Sequence, residues 1–360
     1  IPPAPQGIPV SWKGHYYGRD GESLVGLKID EIERIRSQHF NSDWSSLVCE
    51  KATIDDLDED AVKLARECYI TKHKSMEKEI NEWDTITFLN KARITINGKM
   101  TNTAIILIGK PEAEIHIKPA IAQISWILKD HNNEMLDYEH FHPPFIINTS
   151  KVFKKIRNLK YRYMTDRSLF PEEIDKYDSY VIREALHNCI AHQDYSLSGK
   201  ISLIEKPDEL IFDNVGNFFI QLSIEELLTL DTPPETYRNT FLASAMVEIG
   251  MIDTVGSGIL RMFKHQRERF FPLPEYDLSN PNKVKLTILG KILDPNYTKL
   301  LIQNTEIPLQ IIALLDKVQK NEPITNEAVK QLKKMKLIEG RKPNFYIAGK
   351  IARITGEKAN

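Results

Sequence analysis

Three side chains in the stretch Ile182 to Tyr195, IREALHNCIAHQDY, have the types and spacing to do chemistry on a nucleotide. Glu184, Asn188 and His192 stand at i, i+4 and i+8, so on a helix they share one face. A carboxylate in this setting can orient a water. An amide oxygen one turn along can help hold Mg²⁺, a hard cation that takes oxygen ligands. Ile182, Ala185, Leu186, Cys189 and Ile190 fall at the i, i+3, i+4, i+7, i+8 spacing that anchors a helix to a core. The expected element is a helix that packs on one side and presents Glu184, Asn188 and His192 on the other. An ordinary amphipathic helix fits the same pattern.

Positioning these groups requires more of the fold. Downstream, Ile201 to Ile204 and Glu209 to Phe212 are rich in β-formers and are split by Lys206-Pro207-Asp208, which predicts a hairpin. Its second strand runs into Asp213-Asn214-Val215-Gly216-Asn217. There Gly216 permits close backbone approach to a ligand, and Asp213 or Asn214 can hydrogen-bond a base edge. Further on, Val255-Gly256-Ser257-Gly258-Ile259 opens an apolar helix with a glycine pair, a pattern suited to phosphate at a helix N-terminus and equally to a plain loop.

In order and approximate spacing these pieces resemble the GHKL (Bergerat-fold) ATPases. They resemble more closely the ATP-binding module at the C-terminal end of RecG-related transcriptional regulators, whose pattern is REAL-x-N-x-x-x-HRDY, then I-x-NPG, RN and GxG. Here the segments are REALHNCIAHQDY, IFDNVG, Arg238-Asn239 and VGSGILRM, covering Ile182 to Met262. The resemblance implies ATP and Mg²⁺ as cofactors. Glu184 would be the water-orienting carboxylate, Asn188 the Mg²⁺-coordinating amide, and His192, Asp213 and Arg238 further parts of the pocket. Asn214 and Gly216 would face adenine, while Gly256, Ser257 and Gly258 would line the phosphate side. There are departures: Asn214 stands where the ATPases carry Asp, Phe218 replaces a second glycine, Val215 replaces Pro and Gln193 replaces Arg. An amide lacks the charge assistance that strengthens a carboxylate's hydrogen bonds.

The flanking segments extend the resemblance. Residues 1–50 look like the tail of a Schlafen AlbA-type nucleic-acid-binding domain whose earlier half is missing, and Lys13, His15, Tyr16, Tyr17 and Arg19 mix cations with aromatics. Residues 51–160 read as a connecting α/β region. Within it Asp56 to Glu59 opens a helix, and the apolar run Ile105 to Ile108 reads as a buried strand. Residues 161–295 form the expected GHKL-like domain, ending in a strand at Lys283 to Ile288 and a linker at Asp294-Pro295-Asn296. Residues 300–360 hold a helix at Pro308 to Lys320, a basic helix from Ile324, and a hairpin from Leu337 to Ile347. That succession resembles a winged helix-turn-helix. From Leu309 to Lys350, nine Lys and Arg against four Asp and Glu leave a net charge of +5 on a chain of net −2. Lys330, Lys333, Lys334, Lys336, Arg341 and Lys342 are therefore the expected nucleic-acid contacts, with a helical dimerisation module and a solvated lysine face as the alternative.

Composition sets bounds. With 360 residues, 41% of them hydrophobic, the chain can fill two or three domains, expected as α+β. Near-neutral charge confines any nucleic-acid role to local patches. Cys49, Cys68 and Cys189 have no metal-like spacing and read as reduced cytoplasmic thiols, with Cys189 on the packing side of its helix. The His140-x-His142 pair lacks a third ligand nearby. No apolar run approaches a membrane span. The leading expectation is an ATP-binding transcriptional regulator that binds DNA, with a homo-oligomer open. A weak ATPase or nucleic-acid-processing enzyme, and an interaction scaffold with a degenerate pocket, are the alternatives.

Overall fold

The computed structural model describes residues 9–20, 23–29, 31–32, 35, 43–163, 172–218, 224–230, 237–253 and 258–349. A three-stranded sheet at the start comprises β1 (Ser11–Trp12), β2 (His15–Asp20) and β3 (Ser23–Gly26). Two short hairpins follow further along the chain: β4 (Thr95–Ile96) with β5 (Lys99–Met100), and β8 (Lys160–Tyr163) with β9 (Glu172–Asp175). The central sheet is built from β6 (Ile124–Lys129), β7 (Met135–Phe141), β10 (Ile201–Glu205), β11 (Glu209–Val215), β12 (Glu275–Asp277) and β13 (Lys283–Leu289). Its order is β12-β13-β11-β10-β6-β7, with β10 and β6 parallel and the other neighbours antiparallel.

The hairpin expected around Lys206-Pro207-Asp208 is present, closed by Lys206 N–H donating to the Glu209 carbonyl at 2.9 Å. Period-two alternation places Leu210, Phe212 and Asn214 of β11 on one face, opposite Ile288, Leu286 and Val284 of β13. The motif helix, Ser179–His192, lies on that face. It starts where the Asp178 side chain accepts from the N–H groups of Tyr180 and Val181 at 2.8 and 3.2 Å, an N-cap. Buried Val181, Ile182, Leu186 and Ile190 anchor it, each such side chain adding about 1.5–3 kcal/mol of apolar burial.

Two expectations are corrected. The run Ile105 to Ile108 belongs to a wholly buried helix, Asn102–Ile108, rather than a strand; Thr101 caps it by accepting from the Ala104 N–H at 3.2 Å. A short apolar run fits either element, and here the cap and burial on all sides decide. Asp294-Pro295-Asn296 is no linker but the start of a helix, Pro295–Gln303, with Asp294 as N-cap and Pro in the first turn, where its missing N–H costs nothing. Across the expected boundary at 160/161, β6 pairs with β10 over a core running from Cys49 to Ile288.

A second core holds the C-terminal segment, built from the helices Pro295–Gln303, Leu309–Gln319 and Asn326–Lys334 and the hairpin β14 (Ile338–Arg341) and β15 (Asn344–Ile347). Leu300, Ile312, Leu315, Leu332 and Ile347 are fully buried in it. Phe263 and Leu273, which come from the larger body, are buried in the same cluster. No helix among the described residues is long and apolar enough to cross a membrane.

Candidate functional site

The motif helix is not open on one side, as its sequence pattern suggested. The sheet covers one flank and the helix Gly258–Glu268 another, so Glu184 is only 6% exposed and His187 only 7%. Between motif helix, sheet and Gly258–Glu268 lies a cavity of about 50 Å³ that opens to solvent. Asn188 and His192 line it from the helix, Asn214 from β11, and Asn217 from the turn that follows. Phe212, Phe218, Tyr276 and Leu286 supply much of the apolar wall, and Cys189, buried in the core as expected of the packing side, also borders it. Burial pushes the Cys189 thiol far above the ordinary thiol range, so it is a wall and not a nucleophile.

Beside the cavity, Asn188 Nδ2 donates to Glu184 Oε1 at 3.2 Å. Burial raises the Glu184 carboxyl above its usual range, and the Asn188 bond offsets this only in part. Gly258 is pressed onto the same carboxylate: a Cβ built there would lie 1.7 Å from Glu184 Oε1. Glycine at 258 is thus explained by close approach to a side chain. His192 stacks on Tyr237 at 5.2 Å between ring centroids, and burial holds its imidazole down at about 4, neutral at physiological pH.

Other expected site residues serve the frame. Asp213 lies on the opposite sheet face from Asn214 and forms an ion pair with Lys283, so it does not reach the cavity. Gly216, at φ +117°, sits in a turn where a Cβ would meet Asp194 at 2.9 Å. Arg238 donates to Asp194 Oδ2 at 3.1 Å and to the Asn217 carbonyl at 3.2 Å, bracing that turn. Asn239 donates to the carbonyls of Ala191 and Gln193 at 3.0 and 2.8 Å, closing the C-terminal end of the motif helix. Gln193 bridges the same corner, accepting from Val215 N–H at 2.9 Å and donating to the Gly199 carbonyl at 2.7 Å. Gly256 and Ser257 lie outside the described residues. Asn217 and Tyr276 were missed by sequence reasoning. Tyr276 comes from a three-residue edge strand with no local signal, whereas Asn217 adjoins a recognised glycine.

Residues 199–288 match the family described as "Putative ATP-dependent DNA helicase recG C-terminal". This segment is ATPase-like and RecG-related. It carries β10, β11, β13 and Gly258–Glu268, and begins just after the motif helix. Residues 33–124 match a domain of unknown function (DUF8451). None of the curated proteins compared matches the chain. Among solved structures, the DIP2311 protein from Corynebacterium diphtheriae is similar, with a TM-score of 0.57 and 16% identity over 93% of this chain and 70% of that one. At that identity the likeness is one of fold.

The residues present suit a nucleotide and its metal. Apolar walls with a few convergent amides suit a base. With its Nδ2 turned to Glu184, Asn188 keeps its Oδ1 as an oxygen donor for Mg²⁺, which commonly takes one or two protein ligands and completes its shell with phosphate and water. Among the described residues no group of three or more His, Cys, Asp or Glu could hold a metal ion.

Proposed function

We propose that the protein is a nucleotide-sensing regulator that binds Mg²⁺-ATP between the motif helix and Gly258–Glu268 and passes that state to a DNA-binding C-terminal segment. The observation that carries this reading is the double role of Gly258–Glu268. Gly258 touches Glu184 and Ile259 lines the cavity, while Phe263, five residues from the start, is buried in the second core. Any shift of this helix on nucleotide binding strains both cores, which is what a two-state switch requires. The C-terminal segment has the helix, basic helix and hairpin of a winged helix. Lys330, Lys333, Lys334, Lys336, Arg341 and Lys342 are all exposed, with Lys333 and Lys342 pinned to the Gly340 carbonyl and Asn326 at 3.0 and 2.9 Å. Fixed cations on a small basic module favour phosphate contact.

Adenine would occupy the cavity near Asn214 and His192, with phosphates toward Asn188 and Glu184. When bound, Mg²⁺ neutralises phosphate charge; Asn188 helps hold it and Glu184 orients water. The close Gly258 contact favours slow turnover over rapid hydrolysis, because Glu184 must be uncovered before a water can reach it.

The test is a calorimetric titration of the chain with ATP, with and without Mg²⁺, followed by DNA binding under both conditions. Saturable binding strengthened by Mg²⁺, and a salt-dependent DNA affinity that changes with nucleotide, are expected. No heat at millimolar ATP with an unshifted melting temperature would retire the pocket and leave an interaction scaffold.

A further inference from the structure

The polar wall of the cavity carries no charge. Of the described residues that line it, none is Asp, Glu, Lys or Arg; the polar groups are the amides of Asn188, Asn214 and Asn217, the imidazole of His192, the Tyr276 hydroxyl and the Cys189 thiol. An amide presents both a donor and an acceptor, and a neutral imidazole presents one of each. Two of the amides have an end committed. Asn188 gives an N–H to Glu184, and Asn217 Oδ1 accepts from Arg238. Asn214 is different. It is 5% exposed, and the one hydrogen bond its side chain makes among the described residues is a long one, from Nδ2 to the carbonyl of the next residue, Val215, at 3.4 Å. So weak a hold does not fix which end of the amide meets the cavity, and turning the side chain over exchanges donor for acceptor at that point.

We infer that the site takes purine nucleotides without selecting a 6-amino over a 6-oxo base, because Asn214 reads the C6 position with an amide that can present either end. The inference rests on the nucleotide reading above and adds the base class to it. Facing adenine, the Asn214 oxygen accepts from the exocyclic amine and its N–H group donates to N1. Facing hypoxanthine, the amide turns over: N–H donates to the C6 oxygen and the carbonyl accepts from N1–H. Both pairings use two hydrogen bonds and leave neither the C6 group nor N1 without a partner, the condition whose failure makes polar sites selective. The apolar wall is indifferent to the exchange. Phe218 and Tyr276, with centroids 5.9 Å apart, and Phe212, Val284 and Leu286 offer surface to the ring faces common to all purines. An acceptor-only carboxylate at 214 would instead set lone pair against lone pair at a C6 oxygen.

ATP and ITP differ at C6 and N1 alone, so their affinities isolate the effect. Mg²⁺-ATP and Mg²⁺-ITP are titrated calorimetrically into the full chain, its Asn214→Ser variant and its Asn214→Asp variant, with melting temperatures confirming that each folds. Expected are dissociation constants within about fivefold of each other for the native chain and for Asn214→Ser, whose hydroxyl also donates and accepts. Asn214→Asp should weaken ITP relative to ATP by about tenfold or more. If Asn214→Asp does not fold, the native and Asn214→Ser ratios still decide. ATP bound with ITP at least about twentyfold weaker in the native chain overturns the inference and leaves the nucleotide reading standing. An unchanged ratio in a folded Asn214→Asp overturns the assignment to Asn214. Binding of neither nucleotide overturns the nucleotide reading, and the inference with it.

Discussion

Glu184 and Asp316 are buried to nearly the same depth, 6% and 5% exposed, yet their surroundings differ sharply. Asp316 lies at the seam between the larger body and the C-terminal segment. It accepts from the Leu273 N–H at 2.9 Å, Gln319 Nε2 at 2.7 Å and Lys320 Nζ at 2.8 Å. Lys320 also donates to the Leu273 carbonyl at 2.9 Å, so both ions have several partners. Glu184 lies at the seam between the motif helix and Gly258–Glu268, with one neutral donor at 3.2 Å and a glycine against it. Burial raises both carboxyls. Asp316 is surrounded by partners, as a charge held for architecture must be, whereas Glu184 retains unused acceptor capacity.

The largest expected effect breaks the first of these seams. Asp316→Ala leaves the buried Lys320 with only its longer pair to Glu275, at 3.7 Å, and removes a partner from Leu273 N–H. Loss of one member of a buried pair costs about 3–5 kcal/mol, and urea unfolding should show it as a lowered midpoint. The C-terminal segment should open first, read as hydrogen exchange at Leu309–Gln319 ahead of the central sheet. A loss below about 1 kcal/mol would mean that the seam is not held by this pair and that Asp316 and Glu184 are alike after all.

Overpacking probes the second seam. Gly258→Ala places a methyl where Glu184 Oε1 now sits, and one of the two must move. Crowding of this kind costs about 1–3 kcal/mol. In the Glu184→Ala background the space is free and the added helix-former should cost far less, giving a coupling of about 1–2 kcal/mol in a double-mutant cycle. Additive losses would place the strain of Gly258→Ala in the backbone instead of against the carboxylate.

How far the sequence could show this difference depends on the range over which each part is encoded. Cap, strand and hairpin signals lie within a few residues of one another. For that reason the motif helix, β10 and β11, β13 and the last two helices with their hairpin stand where pattern and capping residues put them. The Glu184–Asn188 pair, one helical turn apart, was legible for the same reason. What covers Glu184 was not, because Gly258 meets it from 74 positions away and only the folded chain brings them together. Asp213, Gly216 and Arg238 belong to a pattern that reads as ligand contact, but here they pair with Lys283, fit a crowded turn and brace Asp194 and Asn217. Strand parity could have excluded Asp213 beforehand, since neighbours on β11 point to opposite faces and Asn214 shares a face with Phe212.

The smallest effect gives the finest test of the comparison. Because the folded Glu184 carboxyl is raised, the folded chain keeps a proton that the unfolded chain begins to release near 4.5, the ordinary glutamate value. The folded state binds more protons across that window, so the contribution of Glu184 to stability is greatest below 4.5. It falls as pH rises toward the folded-state value and is level above it. Glu184→Gln has the same shape, keeps a partner for Asn188 and does not titrate. At neutral pH it should therefore be as stable as the native chain or more so, by less than about 1.5 kcal/mol, the net worth of a single hydrogen bond. The difference should vanish as the pH is lowered to 4, as read from urea midpoints at matched ionic strength. Asp316→Asn should lose stability for a reason other than titration, because an amide nitrogen in place of Oδ2 would face the Lys320 donor. If Glu184→Gln destabilised the chain as Asp316→Asn does, Glu184 would be an architectural charge, and the motif helix would lose its claim to the nucleotide.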